Sequence, residues 1–398
     1  MRINTKPEHH KLAAELVKEA HQNNGLAPLD IDRFYRDQAI ARKDPFGKDI
    51  PQVPLGIWMS GECVFDELGL EEDYWRYSQD LDWRLSINKQ YNDKAEQIVG
   101  KRLLSESLST QEADKYPPIK KLEDIFEAEQ EWRDRSWWLL QVVDNPDALK
   151  ALLDRVEKRL ANLRDFMLPE NWDEERDRLM AKGIEPPLYR KQRGPVTFAM
   201  SIYGVENLIF LLNDDPQLAK RFSNLILQSM LGIAEVLDRE AGFTPENAPK
   251  GFRFADDNCA LLTPEMYEMF GYPILKGIFD RYAPGPDDTR FQHSDSDMGH
   301  IVPILGELDL TGTNFGPTVM VDHIRKHLPR ALIQGQLAPF TFSYNDEEGI
   351  VAEFLRDFEM AQPERGLLFR TAGSINNGSR LTGLRLIMAA IQRYGRYE

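Results

Sequence analysis

Cysteine is rare in this chain. The 398 residues include only Cys63 and Cys259, which lie far apart in the sequence. Two cysteines at this separation give neither the closely spaced ligand pairs of a structural zinc site nor the disulfide framework of a small secreted domain. We therefore expect two free thiols in a reducing cytoplasm.

Basic residues are also few relative to acidic ones, 49 against 65, which gives a formal net charge of −16. A general nucleic-acid binder needs clustered lysine and arginine to meet phosphates, so the net charge argues against this class. The chain also lacks any run near the roughly 18 apolar residues of a membrane span, and residues 1–20 lack the apolar core of a signal peptide. We expect a soluble cytoplasmic protein that acts without a membrane.

What the chain does have is a repeated pattern of short β-like apolar segments, most of them followed by a helix-like segment. Eight parallel strands alternating with helices predict an α/β fold, a closed (β/α)8 TIM barrel with its chemistry at the carboxyl ends of the strands. We expect a helical extension over 1–52 and the barrel over 53–398, with a helical insertion over about 105–190. The strand candidates are 53–59, 80–87, 196–203, 252–255, 290–294, 309–313, 331–335 and 366–370.

Helix signals are clearest at three places in the sequence. Residues 8–22 have an amphipathic pattern. Asp215-Pro216 and Thr263-Pro264 each place a capping side chain before a proline, which suits the first position of a helix.

His293, Asp295 and Asp297 are spaced two apart at the end of a strand candidate. Side chains alternate in an extended chain, so all three face the same side. His293 and Asp295 could ligate a metal ion such as zinc or act as a proton-transfer pair. The alternative is a histidine hydrogen-bonded in a polar barrel mouth, with Asp297 capping the next helix.

Asp256 and Asp257 follow the strand candidate that contains Arg253. Paired carboxylates there could orient a ligand bearing NH groups, or one of them could act as an acid with a raised pKa. The alternative is that Asp257 caps a turn before the next helix.

Amide and hydroxyl side chains follow three later strand candidates, at Asn314, Gln336 and Ser374. Such groups bind ligands through hydrogen bonds and are poor nucleophiles, so they suggest ligand positioning. Each could equally serve a turn by satisfying its own backbone.

The order of several segments resembles the uroporphyrinogen decarboxylase superfamily, which includes methyltransferases that work with corrinoid proteins. The resemblance is close over roughly 190–398, and its fold is a (β/α)8 barrel. It rests on RGPVTFAMSIYG (193–204), DDPQLAKRF (214–222), ADDNCALLTPEMYEMFGYPI (255–274), the His293 strand, GQLAP (335–339) and TAGSINNGSRLTGLRLIMAAIQRYGRY (371–397).

The true decarboxylases resemble a pattern with an Arg-x-Ala-Gly-Arg-Tyr motif near the amino terminus. This chain has GIWMSGECVFDE (56–67) in the matching region, which weakens the case for porphyrinogen decarboxylation. The zinc-dependent methyltransferases carry a His-x-Cys pair and a second cysteine on the last strand. Here Asp295 and Gly373 stand at those positions, so any metal site would have oxygen and imidazole ligands.

A further branch lacks the cysteines and transfers methyl groups between a methylcorrinoid and tetrahydrofolate, and the chain looks most like this branch. The resemblance then implies a corrinoid protein as partner and tetrahydrofolate as methyl acceptor. It also implies that two copies of this chain could form a homodimer. The residues expected to act are His293, Asp295 and Asp257 in catalysis, and Asp256, Arg253, Asn314, Gln336 and Ser374 in substrate binding.

Two other functions are compatible with the sequence. One is decarboxylation of a tetrapyrrole or another small acid, with Arg253 and Arg370 contacting the anion. The other is a barrel that has lost catalysis and serves as a binding subunit, which the replacement of both cysteines would favour.

Overall fold

A computed structural model describes residues 4–107, 114–133 and 135–397 of the chain. These residues divide into two compact units. The first unit comprises residues 4–107, 294–299 and 312–397, and the second comprises 114–133, 135–293 and 300–311.

The second unit contains three parallel strands and an antiparallel hairpin. The hairpin joins β1 (Gln130–Arg133) and β2 (Ser136–Leu139). The parallel strands are β3 (Lys191–Arg193), β4 (Phe252–Ala255) and β5 (Arg290–Ser294, in this unit through His293), paired in chain order. The helices are Leu122–Ile125, Pro146–Leu160, Leu163–Met167, Trp172–Met180, Pro195–Tyr203, Val205–Asp214, Pro216–Glu240, the 3-10 helix Asp257–Leu261, Pro264–Tyr282 and Val302–Gly306.

The first unit contains three further parallel strands, again paired in chain order. They are β6 (Gly312–Phe315), β7 (Leu332–Leu337) and β8 (Leu367–Thr371). The helices are Pro7–Gln22, Ile31–Ala41, the 3-10 helix Gly61–Cys63, Val64–Leu68, Tyr74–Gln79, Leu81–Val99, Val321–His327, Pro339–Ser343, Glu347–Ala361 and Leu381–Tyr394.

Each unit has its own aromatic core. In the second unit the buried ring of Phe222 lies 5.7 Å from that of Phe270 and 6.0 Å from that of Phe126, measured between centroids. In the first unit Phe354 packs edge-on against Phe369, with centroids 5.0 Å apart. Burying each such side chain contributes roughly 1.5–3 kcal/mol to folding. The first cluster therefore holds helices to one another, and the second holds the helix Glu347–Ala361 against β8.

Two predicted strands are wrong because their segments form helices. Asp80 caps the helix Leu81–Val99, and residues 81–87 form its first turns. The buried side chains of Ile87, Tyr91 and Ala95 recur at helical spacing. Residues 196–203 form the helix Pro195–Tyr203. An unbroken apolar run does not separate a buried helix from a buried strand, and the proline at the first helical position was the better signal.

The prediction for residues 53–59 is also wrong, since this segment contributes only a bridge between Leu55 and Phe369. Pro54 has no N–H to donate, which limits ladder formation there. The segment 105–190, predicted to be helical, contains the β1–β2 hairpin. The short strand β3 was not predicted.

The three clearest helix predictions are confirmed by Pro7–Gln22, Pro216–Glu240 and Pro264–Tyr282. Asp215 caps the second of these and Thr263 the third, each accepting a backbone N–H through its side chain. Among the described residues no single helix has the length and apolar character of a membrane span. One pair of consecutive helices has that length and apolar character when the two are counted together, but the pair is bent by 102°: Pro195–Tyr203 and Val205–Asp214.

Candidate functional site

A cavity of about 800 Å³ opens in the second unit. Its walls come from β3, β4 and β5, from the residues after β4, from the helix Pro195–Tyr203 and from the β1–β2 hairpin. Arg253, Asp257 and His293 of the predicted site all line it. The volume lies within the range of roughly 300–1,000 Å³ usual for small-molecule sites.

The strand register explains which side chains reach the cavity. Lys191 pairs with Arg253, and Arg253 with Phe291, as neighbours across the three strands. Two residues further along, Arg193 pairs with Ala255, and Ala255 with His293. Because strand side chains alternate between faces, residues two apart share a face, and both rows line the same cavity.

The segment after β4 is anchored to the start of the helix Pro195–Tyr203. The Thr197 backbone N–H donates to Asp256 Oδ1 at 2.7 Å, and the Asn258 N–H donates to Thr197 Oγ1 at 2.9 Å. The buried Asp256 carboxyl thereby satisfies an N–H that the first turn of a helix leaves without a partner. Asp257 lies between these two anchors and lines the cavity.

Asp256 itself has an unusual acidity. Burial raises the pKa of its carboxyl to about 6, against the opposing effect of the hydrogen bonds donated by Thr197 and Val196. Asp257, the next residue in the chain, lines the cavity, whereas Asp256 accepts a hydrogen bond from the first turn of the helix Pro195–Tyr203. The substrate-binding role predicted for Asp256 stays a prediction, and its observed contacts are structural.

Asp257 and His293 are the two predicted catalytic residues that this unit brings together. They offer ligand atoms within 4.8 Å of each other, and both side chains are partly buried. A carboxylate beside an imidazole can orient the ring and stabilise its protonated form. The pair can therefore accept or return a proton at the cavity wall.

The Cys-ligated zinc of the methyltransferases that the sequence resembles does not fit this donor set. The pair supplies one carboxylate and one imidazole, whereas thiol activation relies on sulfur ligands. Cys259 is fully buried and is not among the residues that line the cavity. Cys63, in the first unit, is buried as well, and burial raises the pKa of its thiol to about 12. The metal role of His293 and Asp295 stays a prediction.

Asp295 lies in the first unit, against Gly373. A Cβ built on Gly373 would come within 2.2 Å of Asp295 Oδ1, and Gly373 has φ of +106°, which side-chain-bearing residues rarely adopt. The carboxylate thus occupies the space that a side chain at position 373 would need. The two positions that the resemblance assigns to cysteines are therefore neighbours, filled by a carboxylate and a glycine.

Asn314 and Gln336 are both buried in the first unit and bind backbone. Gln336 Nε2 donates to the carbonyls of Phe315, Gly316 and Val319, at 2.8–3.2 Å. Asn314 Nδ2 donates to the Thr371 carbonyl at 3.0 Å and also to the Gln334 carbonyl. These bonds tie the ends of β6, β7 and β8 together, and the predicted ligand contacts of these amides stay predictions.

Two other predicted residues lie in the same unit. Ser374 is exposed just after β8. Arg370 is partly buried on β8, where its Nη1 donates to Gln334 Oε1 at 3.3 Å. Their predicted roles in binding also stay predictions.

The family model for uroporphyrinogen decarboxylase (URO-D) matches residues 178–394, which include all six parallel strands and the Asp257–His293 pair. The chain belongs to the uroporphyrinogen decarboxylase family. The TIM-barrel class of this family confirms the predicted fold class, although the described residues form six parallel strands and no closed ring of eight.

A comparison with curated proteins gives no match. Among solved structures, a methyltransferase from Methanosarcina mazei is similar to this URO-D family chain, with a TM-score of 0.51. Its sequence is 14% identical, over 90% of this chain and 98% of the other. At this identity the likeness concerns the fold.

Several cavity residues escaped the sequence analysis, among them Lys191, Arg193, Trp137 and Trp138. The signal for the first two was the alternation in Lys-Gln-Arg before Gly194-Pro195, which places both cations on one face of a strand. The tryptophans were assigned to a helical insertion. Trp137 and Trp138 are in fact 51% and 46% exposed on the hairpin, although large aromatic side chains are normally well buried.

Proposed function

We propose that this URO-D family protein is a methyltransferase that moves a methyl group between a corrinoid carried by a partner protein and a small acceptor such as tetrahydrofolate. The observation that carries the proposal is the Asp257–His293 pair on the wall of an 800 Å³ cavity. The fold likeness to a methyltransferase supports the same reaction class.

The corrinoid would supply or take up the methyl group through its cobalt. The residues of this chain would act on the acceptor. When an acceptor N–H or S–H becomes methylated, a new bond to carbon replaces the bond to hydrogen, and a proton must leave. His293 would accept that proton, while Asp257 would orient the ring and stabilise the imidazolium. The cavity walls would hold the acceptor in line with the methyl carbon, which supplies much of the rate in a displacement reaction.

The test is methyl transfer from methylcobalamin to tetrahydrofolate by the purified protein under anaerobic conditions, with the methylated product measured by mass spectrometry. We expect His293→Ala and Asp257→Asn to lower kcat by roughly 100-fold or more, as for other general acid–base residues. His300→Ala is the matched control, because that imidazole lies outside the cavity wall and binds the Leu262 carbonyl at 2.9 Å. Full activity in His293→Ala, or no transfer by the wild-type protein with any folate or thiol acceptor, would refute the proposal.

Decarboxylation of a small acid is the second candidate, favoured by Lys191, Arg193 and Arg253 on the cavity wall. A carboxylate substrate would find three cations there. Release of CO₂ from coproporphyrinogen or another porphyrinogen, without methyl transfer, would support this alternative.

A further inference from the structure

The cavity carries a cluster of three cations on one face of the sheet. Lys191 and Arg253 are direct neighbours on adjacent strands, and Arg193 follows Lys191 by two residues. All three line the cavity, with Lys191 and Arg253 exposed and Arg193 partly exposed. Like charges placed side by side on adjacent strands destabilise a sheet, so this arrangement calls for a compensating charge.

Within the part of the chain that the structure describes, none of these three side chains forms an ion pair. Arg193 Nη1 donates to Ser201 Oγ at 3.4 Å, and the Arg253 guanidinium lies 5.0 Å from the centroid of the Phe291 ring. Arg190, which precedes Lys191 in the sequence, differs from these three residues because it does form an ion pair. Arg190 donates to Asp238 at 2.6 Å and also stacks on Tyr282, so its charge is neutralised inside the fold.

The surroundings make the cluster more unusual. The chain carries a formal net charge of −16, so carboxylates are abundant, yet among the described residues that line the cavity Asp257 is the one acidic side chain. Three positive charges against one leave the cavity with a local positive potential inside an acidic protein. Such a concave cationic surface attracts anions and raises their local concentration.

We propose that Lys191, Arg193 and Arg253 form a binding subsite for the oxyanions of the substrate, which carries at least two carboxylate or phosphate groups. This inference deepens the proposed function and rests on it in one respect, because the subsite and the Asp257–His293 pair share one cavity. The two arginines offer planar forks that suit bidentate contact with carboxylate or phosphate, and the lysine adds a point charge.

The test uses three probes in isothermal titration calorimetry at low and high salt. They are propane-1,2,3-tricarboxylate, pyrophosphate and the neutral propane-1,2,3-tricarboxamide. We expect at least one anion to bind, with affinity falling as salt rises, while the triamide does not bind. If the tricarboxylate binds more tightly, the subsite recognises carboxylates; if pyrophosphate binds more tightly, it recognises phosphates. Both results support the subsite.

Variants assign the binding to the three cations. We expect the affinity for the anion to fall roughly tenfold in each of three single variants, Arg253→Ala, Lys191→Ala and Arg193→Ala, because each loses a charge-assisted hydrogen bond. Arg253→Lys should retain part of the affinity. Lys220→Ala removes the same charge from the exposed face of the helix Pro216–Glu240 and should leave affinity unchanged. Circular dichroism checks that each variant is folded. We expect the variants at Lys191 and Arg253 to fold, because both side chains are exposed.

Three results would overturn the subsite: no binding of either anion, equal affinity of the triamide, or unchanged affinity in the triple alanine variant. The assay contains no methyl donor, so it is independent of catalysis. Anion binding without methyl transfer would refute the proposed function alone. Methyl transfer with unaltered anion affinity in the triple variant would refute the subsite alone.

Discussion

Replacing Asp256 by asparagine should change how the stability of the protein depends on pH. Burial raises the pKa of this carboxyl from 3.8 to about 6 in the fold. Between those values the folded protein holds a proton that the unfolded chain has released. The free energy of unfolding therefore falls as pH rises through this window, and the contribution of the group is largest below it.

The size of the effect follows from the shift. A displacement of about two pKa units corresponds to about 3 kcal/mol, at 1.36 kcal/mol per unit. Asparagine is nearly the same shape as a protonated aspartic acid and can still accept the Thr197 N–H. The Asp256→Asn protein should therefore not show this loss of stability with rising pH. Its stability relative to wild type should rise by about 2.4 kcal/mol between pH 4 and pH 7, which is most of the full effect.

The assay is urea denaturation followed by circular dichroism at several pH values, with equal m-values required for the comparison. Asp256→Ala is a useful second variant, because it also removes the ionisation but loses the hydrogen bond to the helix, at a further cost of about 1–2 kcal/mol at every pH. A constant difference between Asp256→Asn and wild type across the pH range would refute the reasoning. A difference of opposite sign would mean that the backbone N–H groups outweigh burial.

Two further predictions concern packing. Gly194→Ala should lower the free energy of unfolding by about 3 kcal/mol or prevent folding, because its Cβ would lie 2.0 Å from the Asp256 Cβ and 2.6 Å from the Asp256 Cα, so backbone must move. Gly299→Ala, with no atom within 4 Å of its Cβ, is the control, and equal stability of the two variants in urea would contradict the prediction. Phe222→Ala should cost about 3–5 kcal/mol, because the ring is fully buried between Phe126 and Phe270. Phe210→Ala, at a side chain that is 61% exposed, should change stability by less than about 1 kcal/mol, and thermal unfolding of both variants checks the contrast.

Local chemistry accounts for the parts of the fold that were predicted correctly. Thr263-Pro264 begins a helix because a hydroxyl cap and a fixed proline φ act within a few residues, and the structure has that cap. The strands at 252–255 and 290–294 were found because short apolar segments end there in polar residues. The run VTFAMSIY was misread because an unbroken apolar run fits a buried strand as well as a buried helix. The first turn of its helix is also bound by Asp256, about 60 residues away in the sequence.

The candidate site divides in the same way. The residue types and spacing of Asp257 and His293 marked them as candidates. The alternation expected along His293, Asp295 and Asp297 stays a prediction, because β5 ends at Ser294. The cation cluster could not be found from sequence, because Lys191 and Arg253 are 62 positions apart and only the register of β3 and β4 makes them neighbours.

The sequence by itself determined the family, the strands from β4 to β8, and the residue types available at the ends of β4 and β5. The tertiary structure decided which of these side chains line the cavity. Of two adjacent aspartates it buried Asp256 under a helix and left Asp257 on the cavity wall. The physical reason is that burial and partner atoms, which come from distant segments, set the charge and availability of a side chain, and no local pattern carries that information.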